Sequence, residues 1–426
     1  QIPQSHGTGA PVLSLTEVSM RRPELLLPAG NLEKLRTALL YGADAVYVGV
    51  PGLSLRSAAA ELSLDDLAAG VCEAHAQNAK VYAALNTFAR NVDLAEARRI
   101  IPGLIATGVD ALIISDPGLI GLIRQNAPQM ALHLSTQANT TNSEAVRFWQ
   151  DQGIQRIILS RELNLREVEE IVAAVPGMEL EIFIHGAMCM AYSGRCYLSA
   201  LRNRRSANQG DCSQPCRWEF LLTEVTRPSD PLILEEDKKF TYLLSSKDLC
   251  LLGYLPEVIA SGVSSVKIEG RMKSSYYVAV VTRTYRQAID ALIQQKEKYR
   301  CNPQWMEELK KISHRGYTTG FAFAEEKINE SSPSIKNIQT HEPAGIILGY
   351  DEIQKHILIE IRNHLKTGES VELLLPDETV EIKTRIMLDD DGNRVDQAHA
   401  GHHIRIPFPF PTPKGALLRK AMSIGK

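Results

Sequence analysis

The chain has 426 residues, 44% hydrophobic and 23% charged, with a formal net charge of −3. That length implies two or three domains, and that composition is ordinary for a globular protein. The near-neutral charge excludes a chain-wide polybasic surface, so contact with nucleic acid falls to a local patch. No window approaches eighteen continuous apolar residues, which excludes an ordinary membrane-spanning helix.

Residues 1–22 show no charged-then-apolar secretory pattern and read as a disordered lead before the first domain. The expected location is cytoplasmic, where thiols stay reduced and clustered cysteines serve metals or catalysis rather than disulfides. From Glu24 onward, short apolar runs alternate with amphipathic stretches. The runs are ELLLPA (24–29), AVYVGV (45–50), KVYAALN (80–86), DALIIS (110–115), ALHLST (131–136), RIILS (156–160), LEIFIH (180–185) and SVKIEG (265–270). Runs that are apolar nearly throughout read as parallel strands buried on both faces. Eight of them, with intervening helices and no GxGxxG after the first, predict an α/β protein with a (β/α)8 TIM-like barrel over residues 23–295.

The first helix opens on Asn31 as N-cap and closes at Gly42. The last places Tyr277, Val281, Tyr285, Ile289 and Leu292 on one stripe. The spacing fails once, after the seventh run, where residues 186–247 form an insertion before a helix expected near 248–261. A connection of that length at the C-terminal end of a barrel strand is a place for function. Residues 296–342 read as a linking extension. From 343 to the end, period-two runs separated by YDE, PDE and DDDGN predict a small antiparallel β-barrel domain.

Four of the seven cysteines fall in the insertion, as Cys189, Cys196, Cys212 and Cys216, with the spacing C-x6-C-x15-C-x3-C. Four soft donors in one loop suit an iron–sulfur cluster or a tetrahedral zinc, and spacing alone favours neither. Cys72 and Cys250 read as core, Cys250 also as a substitute ligand, and Cys301 as incidental. The same loop carries Arg195, Arg202, Arg204, Arg205 and Arg217 against Asp211, interleaved with Tyr192, Tyr197 and Trp218. Arginines contact phosphates and aromatic rings stack on unpaired bases, so single-stranded RNA is a matching partner, with a solvated basic loop as the plain alternative. Strand ends supply Asn31, Asn86, Asp116, Gln137, Arg161, His185, Glu269 and Arg271 as further candidates. His185, Glu269 and Arg271 are the candidate catalytic residues. No GxSxG, HExxH or P-loop is present.

The stretches RPELLLPAGNLEKLRTALLYGADAVYVG, SDPGL, HLSTQANTTN, EIFIHGAMCMAYSGRCYLSALRNRRSANQGDCSQPCRWE, SSKDL, SVKIEGRMKS and HRGYTTGF resemble the unassigned-type (U) peptidase family 32, the collagenase-like proteins. The likeness runs from about residue 23 to the end. It is strongest to a branch that makes 5-hydroxyuridine at the wobble position of tRNA in a prephenate-dependent, oxygen-independent reaction. The resemblance implies a [4Fe–4S] cluster on Cys189, Cys196, Cys212 and Cys216, with Cys250 as an alternative fourth ligand. It also implies the tRNA anticodon loop as partner and prephenate, or a product of it, as co-substrate. The competing expectations are a collagenase-like peptidase and a zinc-stabilised RNA-binding protein.

Overall fold

The computed structural model describes residues 21–50, 53–54, 62–189, 191, 195–196, 198–209, 211–215, 236–237, 240–241, 247–323 and 338–422. Each of the eight apolar runs forms a strand. Seven follow in chain order, β1 Glu24–Ala29, β2 Ala45–Gly49, β3 Lys80–Leu85, β4 Ala111–Ile114, β5 Leu132–Leu134, β6 Arg156–Ile158 and β7 Glu179–Ala187. The eighth barrel strand, Ser265–Ile268, pairs in parallel with both β7 and β1 and closes the barrel. Helices between the strands cover the outside, and their starts are set locally. Asn31, Ser63, Asp116, Asn142, Asn164 and Ser274 each accept a backbone N–H at a helix N-terminus. Asn31 and Asp116 therefore act as caps.

The interior of the barrel departs from the usual apolar filling. Lys267 donates to Glu181 at 2.9 Å, Arg156 lies 3.4 Å from Glu181 and 2.5 Å from Glu24, and Tyr82 donates to Glu24 at 2.8 Å. Glu181, Lys267 and Arg156 are all buried. Burial pushes the Glu181 carboxyl up, but Lys267 and Arg156 outweigh it and hold it below the ordinary carboxylate range.

Two expectations are corrected around the insertion. The segment Asp248–Cys250 is a strand, antiparallel to the end of β7, and the helix begins only at Leu255. Cys250 therefore sits on a strand. Asp248 holds the HRGYTTGF segment through a buried ion pair with Arg315 at 2.5 Å, and Tyr317–Thr318 adds alongside as a further strand. Cys72, expected in the core, is exposed on its helix.

The C-terminal unit is a six-stranded antiparallel sheet, in the order Thr379–Lys383, Ser370–Leu374, Leu417–Ala421, His341–Asp351, His356–Ile361, His403–Pro407. A two-stranded ladder, Leu365–Lys366 with Gln397–Ala398, lies beside it. Among the described residues no ladder joins the two end strands of the six. The sheet meets the extension's helix Pro303–Lys310 through Arg419, which is 0% exposed and reaches Glu372 of the sheet at 2.5 Å and Glu308 of the helix at 2.8 Å. Tyr41 adds a hydrogen bond to Leu374 O at 2.7 Å.

Truncating the Arg419 cation would leave Glu308 and Glu372 to Lys311, at 2.9 and 3.3 Å, and Glu308 also to Arg283 at 3.0 Å. Arg419→Met is expected to destabilise the chain by roughly 1.5–3 kcal/mol, read from denaturant unfolding, because charge-assisted hydrogen bonds are lost while Lys311 and Arg283 still answer the carboxylates. Stability within 1 kcal/mol of the parent would contradict this account.

Candidate active site at the barrel mouth

The C-terminal ends of the barrel strands open into a cavity of about 200 Å³. Asn86, Gln137, Arg161, Glu269 and Arg271, all picked out at strand ends, line it together. Cys189, Cys196 and Cys212 line the same cavity from the insertion. Cys216, Arg217, Tyr192, Tyr197 and Trp218 lie outside the described residues.

The insertion is docked over the mouth by specific contacts. Arg195 donates to Gln137 O at 2.7 Å, and Asn208 accepts from Cys196 N at 3.1 Å while its carbonyl accepts from Phe88 N at 3.2 Å. Ser199 and Ser213 pair at 3.0 Å, and Arg205 holds Asp211 at 2.7 Å. Cys196 Sγ accepts from Leu198 N at 3.4 Å and Cys212 Sγ accepts from Gln214 N at 3.4 Å. A backbone N–H two residues on, aimed at sulfur, is an arrangement that suits a metal-ligating cysteine. The three described thiols are unpaired as disulfides, and their donor chemistry fits an iron–sulfur cluster or zinc. Among the described residues no three His, Cys, Asp or Glu side chains converge closely enough to hold an ion by themselves.

The cavity is rich in cations, with Arg161, Lys267 and Arg271 on the barrel side and Arg205 on the insertion, against Glu162 and Glu269, and Arg161 lies 3.4 Å from Glu269. Arg271 donates to Ser54 at 2.6 Å, and Arg161 donates to Ala187 O at 2.7 Å with its guanidinium 3.8 Å from the Phe183 ring centroid. Lys267 Nζ lies 4.4 Å from the Tyr47 ring centroid. Burial lowers the Lys267 ammonium pKa, with Glu181 opposing. Tyr47, Phe183 and Lys267 were not singled out from the sequence. The one available signal was a lysine in the middle of an otherwise apolar strand. Arg202 and Arg204 are exposed on the insertion, away from the cavity lining.

His185 takes a different position from the expected one beside the cysteines. Phe183 pairs with Lys267 but His185 pairs with Ile268, so Ile184 is an extra residue in β7. This bulge re-aims the following side chain. His185 turns behind the strand, 1% exposed, among Tyr277, Tyr285 and Tyr317, with Tyr285 Oη 3.3 Å from Nδ1. Gly186 follows at φ +109°, where a Cβ would meet Glu269 O at 2.5 Å. Cys250 lies in the same nest, 3.7 Å from Tyr285 Oη, with its thiol pushed up to about 11 by burial. It does not line the thiol cavity.

A closed (β/α)8 barrel with a mouth cavity walled by thiols and cations defines an enzyme of the barrel class, its chemistry at the C-terminal face. The family model for peptidase family U32 matches residues 30–332, and that for the family's C-terminal domain matches 339–419. The chain belongs to peptidase family U32. It is similar to tRNA hydroxylation protein P1 of Bacillus subtilis, 38% identical over 89% of this chain and 90% of the relative. It is also similar to the 23S rRNA 5-hydroxycytidine C2501 synthase of Escherichia coli, 37% identical over 85% of this chain and 54% of the relative. A third relative is the collagenase of Porphyromonas gingivalis, 33% identical over 70% of this chain and 73% of the relative. Among the described residues no helix is long and apolar enough to cross a membrane.

Burial pushes the His185 imidazole down to about 3, with Asp248 opposing and Lys273 and His314 adding. Below the unfolded value near 6.5 the unfolded chain takes up a proton that the folded chain refuses. The stability contributed is therefore intact above about pH 6.5 and is lost as pH falls toward 3, at up to about 1.4 kcal/mol per pH unit. His185→Phe should flatten that part of the stability profile in urea titrations, and an unchanged slope would count against the buried neutral ring.

Proposed function

We propose that this chain is an RNA hydroxylase that converts the wobble uridine of tRNA to 5-hydroxyuridine. In this reading it carries a [4Fe–4S] cluster on Cys189, Cys196, Cys212 and Cys216. The observation that carries the reading is the meeting of insertion thiols with a cationic barrel mouth in one cavity. The names of the tRNA- and rRNA-hydroxylating relatives support RNA as the substrate class. Held there by the four cysteines, the cluster would supply electron transfer or activation of the oxygen donor.

The chain's own residues divide the remaining work. Arg161 and Arg271 bring guanidinium groups matched to prephenate, or to a carboxylate product of it. Asn86 and Gln137, joined at 3.0 Å, offer amides matched to the donor–acceptor edge of an unstacked uracil. Arg195, Arg202 and Arg204 are exposed on the insertion and would meet anticodon phosphates. Among the described residues no histidine lines the cavity, so the peptidase alternative has no cysteine–histidine pair there.

Protein purified without oxygen is expected to contain iron and acid-labile sulfide, and zinc without iron would overturn the cluster. Cys189→Ser, Cys196→Ser and Cys212→Ser should each remove most of the iron. In deletion cells complemented with these variants, 5-hydroxyuridine should be absent from digested tRNA by mass spectrometry. Wild-type levels of the nucleoside in all three would refute the assignment.

A further inference from the structure

The EGRMKS segment after the eighth strand sends successive residues to different places. Arg271 turns into the thiol-lined cavity toward Ser54. Met272, next in the chain, is 51% exposed, a large apolar side chain at the surface beside a polar site. It belongs to two hollows at once. The second is a groove of about 370 Å³ that shares Ala187, Gln214, Glu269 and Met272 with the first. The groove's far wall comes from Ser313 and from Gln339 and Pro343 at the start of the C-terminal unit. Lys273 also lines it, with Nζ 3.1 Å from Ser313 O.

A base drawn out of its stack into the cavity stays joined through phosphates to its neighbours. One of those neighbours must therefore lie within a nucleotide's reach of the cavity rim, and the groove opens there. The geometry points to a second nucleotide subsite in this groove, holding the residue next to the hydroxylated uridine. Met272 divides the two subsites and stacks on the neighbouring base, Lys273 faces its phosphate and Gln339 meets its polar edge. A polarizable thioether packs well against an aromatic face, and a lysine is a point charge for phosphate. This subsite rests on the RNA reading of the cavity.

The test uses the full chain and a fluorescent single-stranded RNA carrying one uridine, read by anisotropy. Matched strands carry an abasic residue on one side of the uridine or the other. Loss of one stacked base is expected to weaken binding roughly ten-fold. One of the two abasic strands should bind the parent protein about that much less tightly. Met272→Ala should bind the intact strand as weakly as the parent binds that abasic strand, and should lose nothing further on it. Met272→Leu should retain most of the affinity, which separates stacking from folding, and thermal melting of each variant checks the fold directly. If Met272→Ala binds the intact strand like the parent, or loses the same factor on both strands, the groove holds no neighbouring base. A parent protein that binds none of the strands overturns the RNA reading as well, and is distinguished by that.

Discussion

Lys267 and Glu181 face each other across the seam where the eighth strand meets β7, inside the barrel and out of water. Two buried charges are tolerable there because each answers the other, and because Arg156 ties Glu181 to Glu24 and to the more exposed Glu179. Removing Lys267 or Glu181 would unbalance charge in the core. The pair thus fixes the register of the two strands that matter most. One continues into Glu269 and Arg271. The other continues into Ala187, Met188 and the first thiol. The mouth is assembled from these two continuations, so its geometry rests on the seam below it.

Much of this was legible in the sequence, for identifiable reasons. Parallel strands buried on both faces leave unbroken apolar runs, and all eight did so. Helix starts were readable where a short polar side chain answers a free N–H, as at Asn31. What failed was local and irregular. The Ile184 bulge leaves no mark in LEIFIH, so His185 was counted with the mouth residues when it turns behind the strand. The segment DLC was taken for a helix start because three residues carry too little periodicity to show a strand. LLRKA, the Leu417–Ala421 strand, hides its period because Arg419 is buried at the joint between the sheet and the extension's helix. The convergence of Asn86, Gln137, Arg161, Glu269 and Arg271 followed from one rule about barrel strand ends. Tyr47, Phe183 and Lys267 escaped it because they sit one layer deeper.

The family's relatives include RNA hydroxylases and a collagenase, and a shared barrel does not choose between such chemistries. The wall of the mouth is more discriminating than the fold. Three thiols, two of them with N–H groups aimed at sulfur, share one cavity with barrel cations, a division between a soft-donor side and a cationic side. The two come from different parts of the chain. The cationic side is built on barrel strands and is rigid by construction, whereas the thiols ride on a segment attached to it.

That attachment has a consequence of its own. Ala187 pairs with Asp248 and His185 with Cys250, so the segment leaves and re-enters the barrel at the same point of one strand. Its ends are held together by the sheet, and the entropy of closing so long a loop is borne by the barrel's own stability. The segment is in effect a tethered ring whose length is free to vary without stretching or shifting any barrel strand. A lineage can lengthen, shorten or rewrite it while the barrel cations stay in place. A fold arranged in this way can exchange one substrate for another by editing a single excursion of the chain.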